Sequence, residues 1–309
     1  MRRQAAIMLA LVLITLALTG PSVGAGAANY TILLSMKGPG SGNPFWAAVE
    51  RGARETAKSL GVNLVVLAPP AETDVQAQIS QIEDQIAKRV SAIVVAPTDV
   101  SALNTTFDKA RALKIPVLFV DTDGNWPNKL TFIGTDNRVG GALGGKFLCD
   151  SLKSKGDVAL ITGVMTTQSI RARIEGARET VLKCGLKVVK ELPANSDRAM
   201  GQQVMEDILT SSPNVKGVFA ANDLMALGAA NAAKARGKKI LIVGFDAIPE
   251  AAQAILAGNL SASVAQSPYN MGKFGVQNAL KALQNKPVAK RIDTGTILVT
   301  KKNAAQFAK

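Results

Sequence analysis

Histidine is missing from all 309 residues of this chain. Its absence excludes Ser-His-Asp and Cys-His catalysis and removes the commonest metal ligand. Cysteine is almost missing too, with Cys149 and Cys184 the pair present. No nucleophile motif, phosphate-binding loop or metal-ligand cluster appears, so no cofactor is expected. Low-complexity linkers are absent, and no apolar stretch after residue 28 approaches the ~20 residues a membrane-spanning helix needs.

What is present begins with residues 218–250, VFAANDLMALGAANAAKARGKKILIVGFDAIPE. Two apolar strand candidates, Val215–Ala220 and Lys239–Phe245, flank an Ala-rich helical segment near Leu224–Arg236, which predicts a βαβ unit. Asn222 and Asp223 follow the first strand and Asp246 the second. Ligands of open parallel sheets sit outside the carboxyl ends of the strands. The unit is therefore expected to aim an amide and up to two carboxylates at one crevice. Such groups suit vicinal hydroxyls, since Asp accepts and Asn both accepts and donates.

The same unit occurs earlier in the chain. GARET at 52–56 returns at 176–180, an offset of 124 (52 to 176). VVAPTDVSAL from Val94 aligns with VFAANDLMAL from Val218, again 124 (94 to 218), and LFVDTD around Asp121 answers IVGFDA around Asp246. So long a period indicates domain duplication rather than a solenoid, whose repeats run ~20–50 residues. The fold class expected is α/β, with two similar doubly wound parallel-sheet lobes, a short multi-strand hinge and a ligand cleft between them. The length suits two domains, each large enough for its own core.

Residues 1–28 read as a secretory signal: Arg2 and Arg3, an apolar run over Ala5–Leu18, then Gly20-Pro21 and Ala25-Gly26-Ala27. Export of a soluble mature protein is expected. No cysteine follows the run, so no lipid anchor is expected. Removing Arg2 and Arg3 lowers the formal charge of +13 by two, to +11, because the segment holds no acid. The remaining Lys and Arg are scattered along predicted helices without a basic arm or nucleic-acid motif, and nucleic-acid binding is not expected. Both cysteines fall at the far ends of helices that start at the cleft, and an oxidising compartment permits a Cys149–Cys184 disulfide. Two separate buried thiols are the alternative.

The first lobe is expected to comprise residues 29–134 plus 267–294, and the second residues 135–266 plus 295–309. Asn43-Pro44 starts a helix that Gly61 ends. Another starts near Asp74, and a third spans Ala102–Leu113. The crossovers fall near Thr135-Asp136-Asn137 and Gln266, with a final strand over Gly295–Val299.

These residues resemble the periplasmic sugar-binding proteins of the ribose and galactose type, which deliver solutes to ABC importers and share their fold with lactose-repressor-type sensor domains. The resemblance covers essentially the whole mature chain. It rests on Asn43-Pro44-Phe45-Trp46, Ala96-Pro97-Thr98-Asp99, Gly134-Thr135-Asp136-Asn137, Ala221-Asn222-Asp223 with Met225-Ala226-Leu227-Gly228, and Val243-Gly244-Phe245-Asp246. It implies ligand contacts at Asn43, Phe45, Trp46, Asp121, Arg173, Asn222, Asp246 and Gln266. The aromatic pair would cover the C–H face of a sugar ring, while the charged and amide groups bind its hydroxyls. It also implies a monomer with a small sugar or polyol and a membrane permease as partners.

The chain departs from the ribose-type pattern at Ala96, Thr122 and Ser196, where an amide, an arginine and an aromatic ring are replaced. With Lys37, these three are candidates for the cleft lining, and they widen the ligand class to other pentoses, hexoses, polyols and derivatives. Several residues carry a second reading. Asn43 also reads as a helix cap, Phe45 as a core anchor and Arg173 as a salt-bridge partner of Glu175 or Asp197. Asp99 and Asp223 read as capping or supporting groups. Glu72, Asp74 and Asp123 read mainly as solvated loop charges, otherwise as extra acceptors, including for an amino group. Besides transport, the same closure suits a sensing module facing a chemoreceptor or kinase. A hydrolase built on Asp121 and Asp246 has the carboxylates and nothing else.

Overall fold

In the computed structural model, which describes residues 30–309, the chain alternates strands and helices into two six-stranded sheets. The first contains β1 (Thr31–Ser35), β2 (Asn63–Leu67), β3 (Ala92–Val95), β4 (Val117–Val120), β5 (Phe132–Gly134) and β11 (Arg291–Asp293), in the order β11-β5-β4-β3-β1-β2. The second contains β6 (Asp157–Thr162), β7 (Lys187–Pro193), β8 (Val215–Ala220), β9 (Leu241–Asp246), β10 (Ala262–Ala265) and β12 (Ile297–Val299), in the order β12-β10-β9-β8-β6-β7. All pairings are parallel except β10 with β12. The chain passes between the sheets after β5, after β10 and after β11.

Each sheet is covered on both faces. Ile32 and Leu34 of β1 face one apolar layer, and Leu33 between them faces another with Ile82, Ile86 and Phe107. Strands buried on both sides read as continuous apolar runs rather than alternating ones, which is how AIVV and VLFV appear in the sequence. Among the described residues no helix is long and apolar enough to cross a membrane.

Helix α1 (Pro44–Leu60) follows its local chemistry. Asn43 caps it through the Phe45 N–H at 3.1 Å, Pro44 opens it, and Gly61 closes it in a left-handed conformation. It lies along α9 (Pro268–Leu283), which arrives from the far end of the chain. Helix α4 (Asn137–Ser151) lies along α5 (Gln168–Lys183) in the second unit. A Cβ on Gly52 would collide with the Tyr269 carbonyl of α9, and one on Gly176 with the Arg138 carbonyl of α4. Gly52 and Gly176 are the glycines of the two GARET copies, so the repeat marks two equivalent close helix approaches.

Some boundaries differ from expectation. Helix α3 (Asn104–Ala112) starts after Ala102 because the Asp99 carboxylate holds the N–H groups of Ser101 and Ala102 in a turn. β11 is three residues long and mostly charged, and carries no alternation to announce it. Cys149 lies in the last turn of α4 and Cys184 caps α5, and the structure joins them across Cα atoms 6.2 Å apart.

Candidate functional site

The strand ends of the two sheets converge on one small, partly open cavity of about 20 Å³. Its walls include Lys37 after β1, Asp121 after β4, Ser196 after β7, Asn222 after β8 and Asp246 at the end of β9. Asn43, Phe45 and Trp46 come from the start of α1, Ile170 and Arg173 from the first turns of α5, and Glu72 from the loop before α2 (Val75–Ala87). Larger surface hollows exist, notably one around Lys234, Lys238 and Lys239 at the opposite strand ends. That hollow lacks convergent acceptors, and the smaller cavity is where the chemistry lies.

Two strand-end aspartates face each other through the cations that hold them. Lys37 is 3 % exposed, and its Nζ lies 3.0 Å from Asp121 Oδ2 while donating to Thr122 Oγ1 at 2.9 Å and Ser169 Oγ at 3.3 Å. Arg173 donates through Nε to Asn137 Oδ1 at 2.8 Å, and through Nη1 to the Ala221 carbonyl at 2.9 Å and Asp246 Oδ1 at 3.4 Å. Its guanidinium lies 3.9 Å from the Phe245 ring centroid. Its Nη2 is 3.9 Å from Asp121 Oδ1, so Arg173 reaches both aspartates. Gln266 Nε2 donates to Asp246 Oδ1 at 2.6 Å.

The aspartates share a backbone feature. Asp121 has φ +59° and Asp246 φ +112°, where residues other than glycine are uncommon. Each such residue costs about 1–3 kcal/mol, and such strain clusters where geometry serves a ligand. Burial is the main reason the Asp246 carboxyl is pushed up to about 7; Arg173 and Gln266 oppose the rise, while Asp121 and Glu72 add to it.

The apolar wall is the Phe45–Trp46 pair, edge to face at 5.0 Å between centroids. Both rings are buried and both line the cavity, so the distinction between a core Phe45 and a stacking Trp46 dissolves. Asn43 likewise caps α1 and lines the cavity. Asn222 does the same for α7 (Asp223–Ala235), accepting from Met225 N–H at 2.9 Å and donating to the Ser196 carbonyl at 3.3 Å.

Other sequence expectations change. Asp223 does not enter the cavity: it is fully buried behind it, accepting from Ser263 Oγ at 2.6 Å and Ile248 N–H at 2.8 Å. The βαβ unit therefore offers one carboxylate to the crevice, not two. Ala96 and Thr122 do not line the cavity. Ala96 is fully buried under Gln78, and Thr122 stands behind Asp121, donating to its Oδ2 at 2.7 Å. Gln266 acts through Asp246 rather than at the wall. Arg173 pairs with neither Glu175, which Arg138 takes, nor Asp197, which caps α6 (Arg198–Ser211). Asp74 caps α2, and Asp123 pairs with Lys129.

Glu72 is not a solvated loop charge. Its Oε1 accepts from Trp46 Nε1 at 3.4 Å, and the turn before α2 carries it to the cavity. A carboxylate two residues ahead of the Asp74 cap was the available signal. Asn137 was legible only as part of a crossover, yet it is the residue that orients Arg173.

A family model described as periplasmic binding protein domain matches residues 34–287. The ribose import binding protein of Bacillus subtilis (strain 168) is 35% identical over 282 residues, covering 91% of each chain. The D-allose-binding periplasmic protein of Escherichia coli (strain K12) is 36% identical over 295 residues, covering 89% of this chain and 92% of its own. The chain belongs to the periplasmic binding protein family. Its fold is of the type I kind, with two parallel-sheet α/β lobes. A carbohydrate transporter solute-binding protein from Agrobacterium radiobacter, solved in complex with D-arabinose, superposes with a TM-score of 0.86 at 32% identity, covering 91% of this chain and 99% of that one.

Proposed function

We propose that this protein is an exported solute-binding protein that captures a monosaccharide or close derivative and delivers it to an ABC-type importer. The carrying observation is the cavity itself: two strand-end aspartates, each held by a buried cation, beside an aromatic pair. Ser196 Oγ, Glu72 Oε2 and Gln266 Oε1 are buried at or beside it without a partner among the described residues. Buried polar atoms left unpaired are costly, and a ligand rich in hydroxyls supplies what they lack.

In this reading the lobes are residues 29–134 plus 267–294 and residues 135–266 plus 295–309, closing about the three interlobe connections. Thr167 Oγ1 donates to the Thr98 carbonyl at 2.8 Å, Val100 N–H to the Thr166 carbonyl at 3.1 Å, and the Thr122 and Ser169 hydroxyls lie 2.8 Å apart. These contacts join the two sides at the cleft and support a closed state that traps ligand. The closed monomer then docks on the membrane permease. No covalent chemistry is assigned: Asp121 and Asp246 are each engaged by a cation. Residues 1–28, assigned to export, lie outside the described residues.

A thermal-shift screen of the mature protein against pentoses, hexoses and polyols tests the proposal. A ligand at a hundred times its dissociation constant adds ~2.7 kcal/mol of stability, read as a rise of a few degrees. A folded protein that responds to no member of the panel and none of their derivatives refutes it.

A further inference from the structure

Five ionisable side chains line the cavity, and their pairing is incomplete. Lys37 lies 3.0 Å from Asp121, and Arg173 lies 3.4 Å from Asp246. Glu72 is the carboxylate left over. Its one hydrogen bond is from the neutral indole of Trp46 at 3.4 Å, and its Oε2 is buried with no partner. Ser196 lines the same cavity at 8 % exposure, and its Oγ is also unpartnered. The cavity thus carries three acids against two bases, with an unused charged acceptor and an unused hydroxyl on its wall.

A neutral hydroxyl can donate to Glu72 but leaves the unmatched charge in place. An ammonium group donates three hydrogen bonds and brings a positive charge to the unpaired carboxylate. With it, Glu72 gains the cationic partner that Asp121 and Asp246 already have in Lys37 and Arg173. We propose that the ligand carries a positively charged amino group seated against Glu72 Oε2 and Ser196 Oγ, so that an amino sugar or amino polyol is preferred to its hydroxyl counterpart, with Glu72 determining the preference. This rests on the sugar-binding reading above and narrows it.

Geometry supports the assignment in a second way. Trp46 donates to Oε1, which leaves Oε2 as the free lone-pair face. The indole that orients Glu72 belongs to the aromatic pair walling the cavity, so ring stacking and amine recognition share one anchor.

Calorimetry with the mature protein tests this, using hexoses aminated at carbon 2, 3 or 6 and an aminocyclitol, each paired with its non-aminated parent. At least one aminated member is expected to bind about tenfold or more tighter than its parent. Glu72→Gln keeps an acceptor for Trp46 and should bring that ratio close to one, with circular dichroism and the thermal unfolding midpoint reporting that the variant folds. If parents bind and no aminated member binds tighter, the proposal falls while the sugar reading stands. A preference that survives in Glu72→Gln also overturns it, since Glu72 would not be the determinant. If neither series binds, both readings fall together.

Discussion

Lys37 and Asp121 form a buried ion pair, Nζ to Oδ2 at 3.0 Å, with side chains 3 % and 2 % exposed. The pair lies between the ends of β1 and β4, and Thr122 completes it by accepting from Lys37 and donating to Asp121. Ser169 of α5 meets both Lys37 and Thr122, so the pair is also tied to the opposite wall of the cleft.

Replacing Lys37 with methionine keeps the apolar stem and removes the charge. Asp121 would then be a buried carboxylate with Arg173 Nη2 at 3.9 Å as its nearest cation. Breaking one side of a buried pair costs about 3–5 kcal/mol. Urea unfolding of Lys37→Met should show that loss, and the double variant with Asp121→Asn should recover part of it. Equal stability of the single variant and wild type would mean that Asp121 is solvated.

The Asp246 carboxyl sits at about 7 because it is buried, with Arg173 offsetting only part of the cost. An unfolded aspartate titrates near ~3.9. Across that interval the folded state binds the extra proton. The stability from this group is therefore fully present below ~3.9 and is lost as pH rises to about 7. The buried Asp223 carboxyl, raised by burial and by Asp246, acts with the same sign. Ligand groups that donate to Asp246 need the carboxylate, so binding should release a proton. Affinity should rise up to about tenfold per pH unit below 7 and level off above it. Calorimetry in two buffers of different ionisation enthalpy measures the release, and Asp246→Asn should abolish it.

Helix starts, strand runs and the duplication were legible in the sequence because each rests on local chemistry or spacing. Asn43-Pro44 and Gly61 fix α1 from two caps, and the offset of 124 (52 to 176) carries the second unit. The positions around the cavity were less legible, since they depend on which way a side chain turns after a strand ends. Asp223 and Asp246 both follow β-strand runs, yet Asp223 turns back to Ser263 and Ile248 while Asp246 faces the crevice at φ +112°. Glu72 reaches the cavity through an irregular turn that has no period to read.

The GARET repeat has a packing cause with a functional edge. A Cβ on Gly141 of α4 would collide with the carbonyl of Arg173 itself. Gly141→Ala must therefore push α5 away at the residue that spans both aspartates. Overpacking of this kind costs about 1–3 kcal/mol. The displaced guanidinium should also lose its fork to Asn137 and Ala221, lowering ligand affinity by more than tenfold. Unchanged affinity would show that α5 slides without moving Arg173. By contrast, Ala substitution at exposed Gly237, which meets nothing within 4 Å, strains only its own left-handed backbone and should leave binding intact.

The Cys149–Cys184 bond closes a loop of 35 residues at the far ends of α4 and α5. Loop-closure entropy for that length corresponds to about 3–4 kcal/mol of stabilisation. The site residues of α5, Ile170 and Arg173, lie in its first two turns, and Cys184 caps the opposite end. Replacing both cysteines with serine should therefore lower the unfolding free energy by about that amount and leave ligand affinity unchanged. Parallel denaturant unfolding and calorimetry separate the two effects. A loss of affinity matching the loss of stability would instead mean that the bond sets the register of α4 against α5, and through it the position of Arg173.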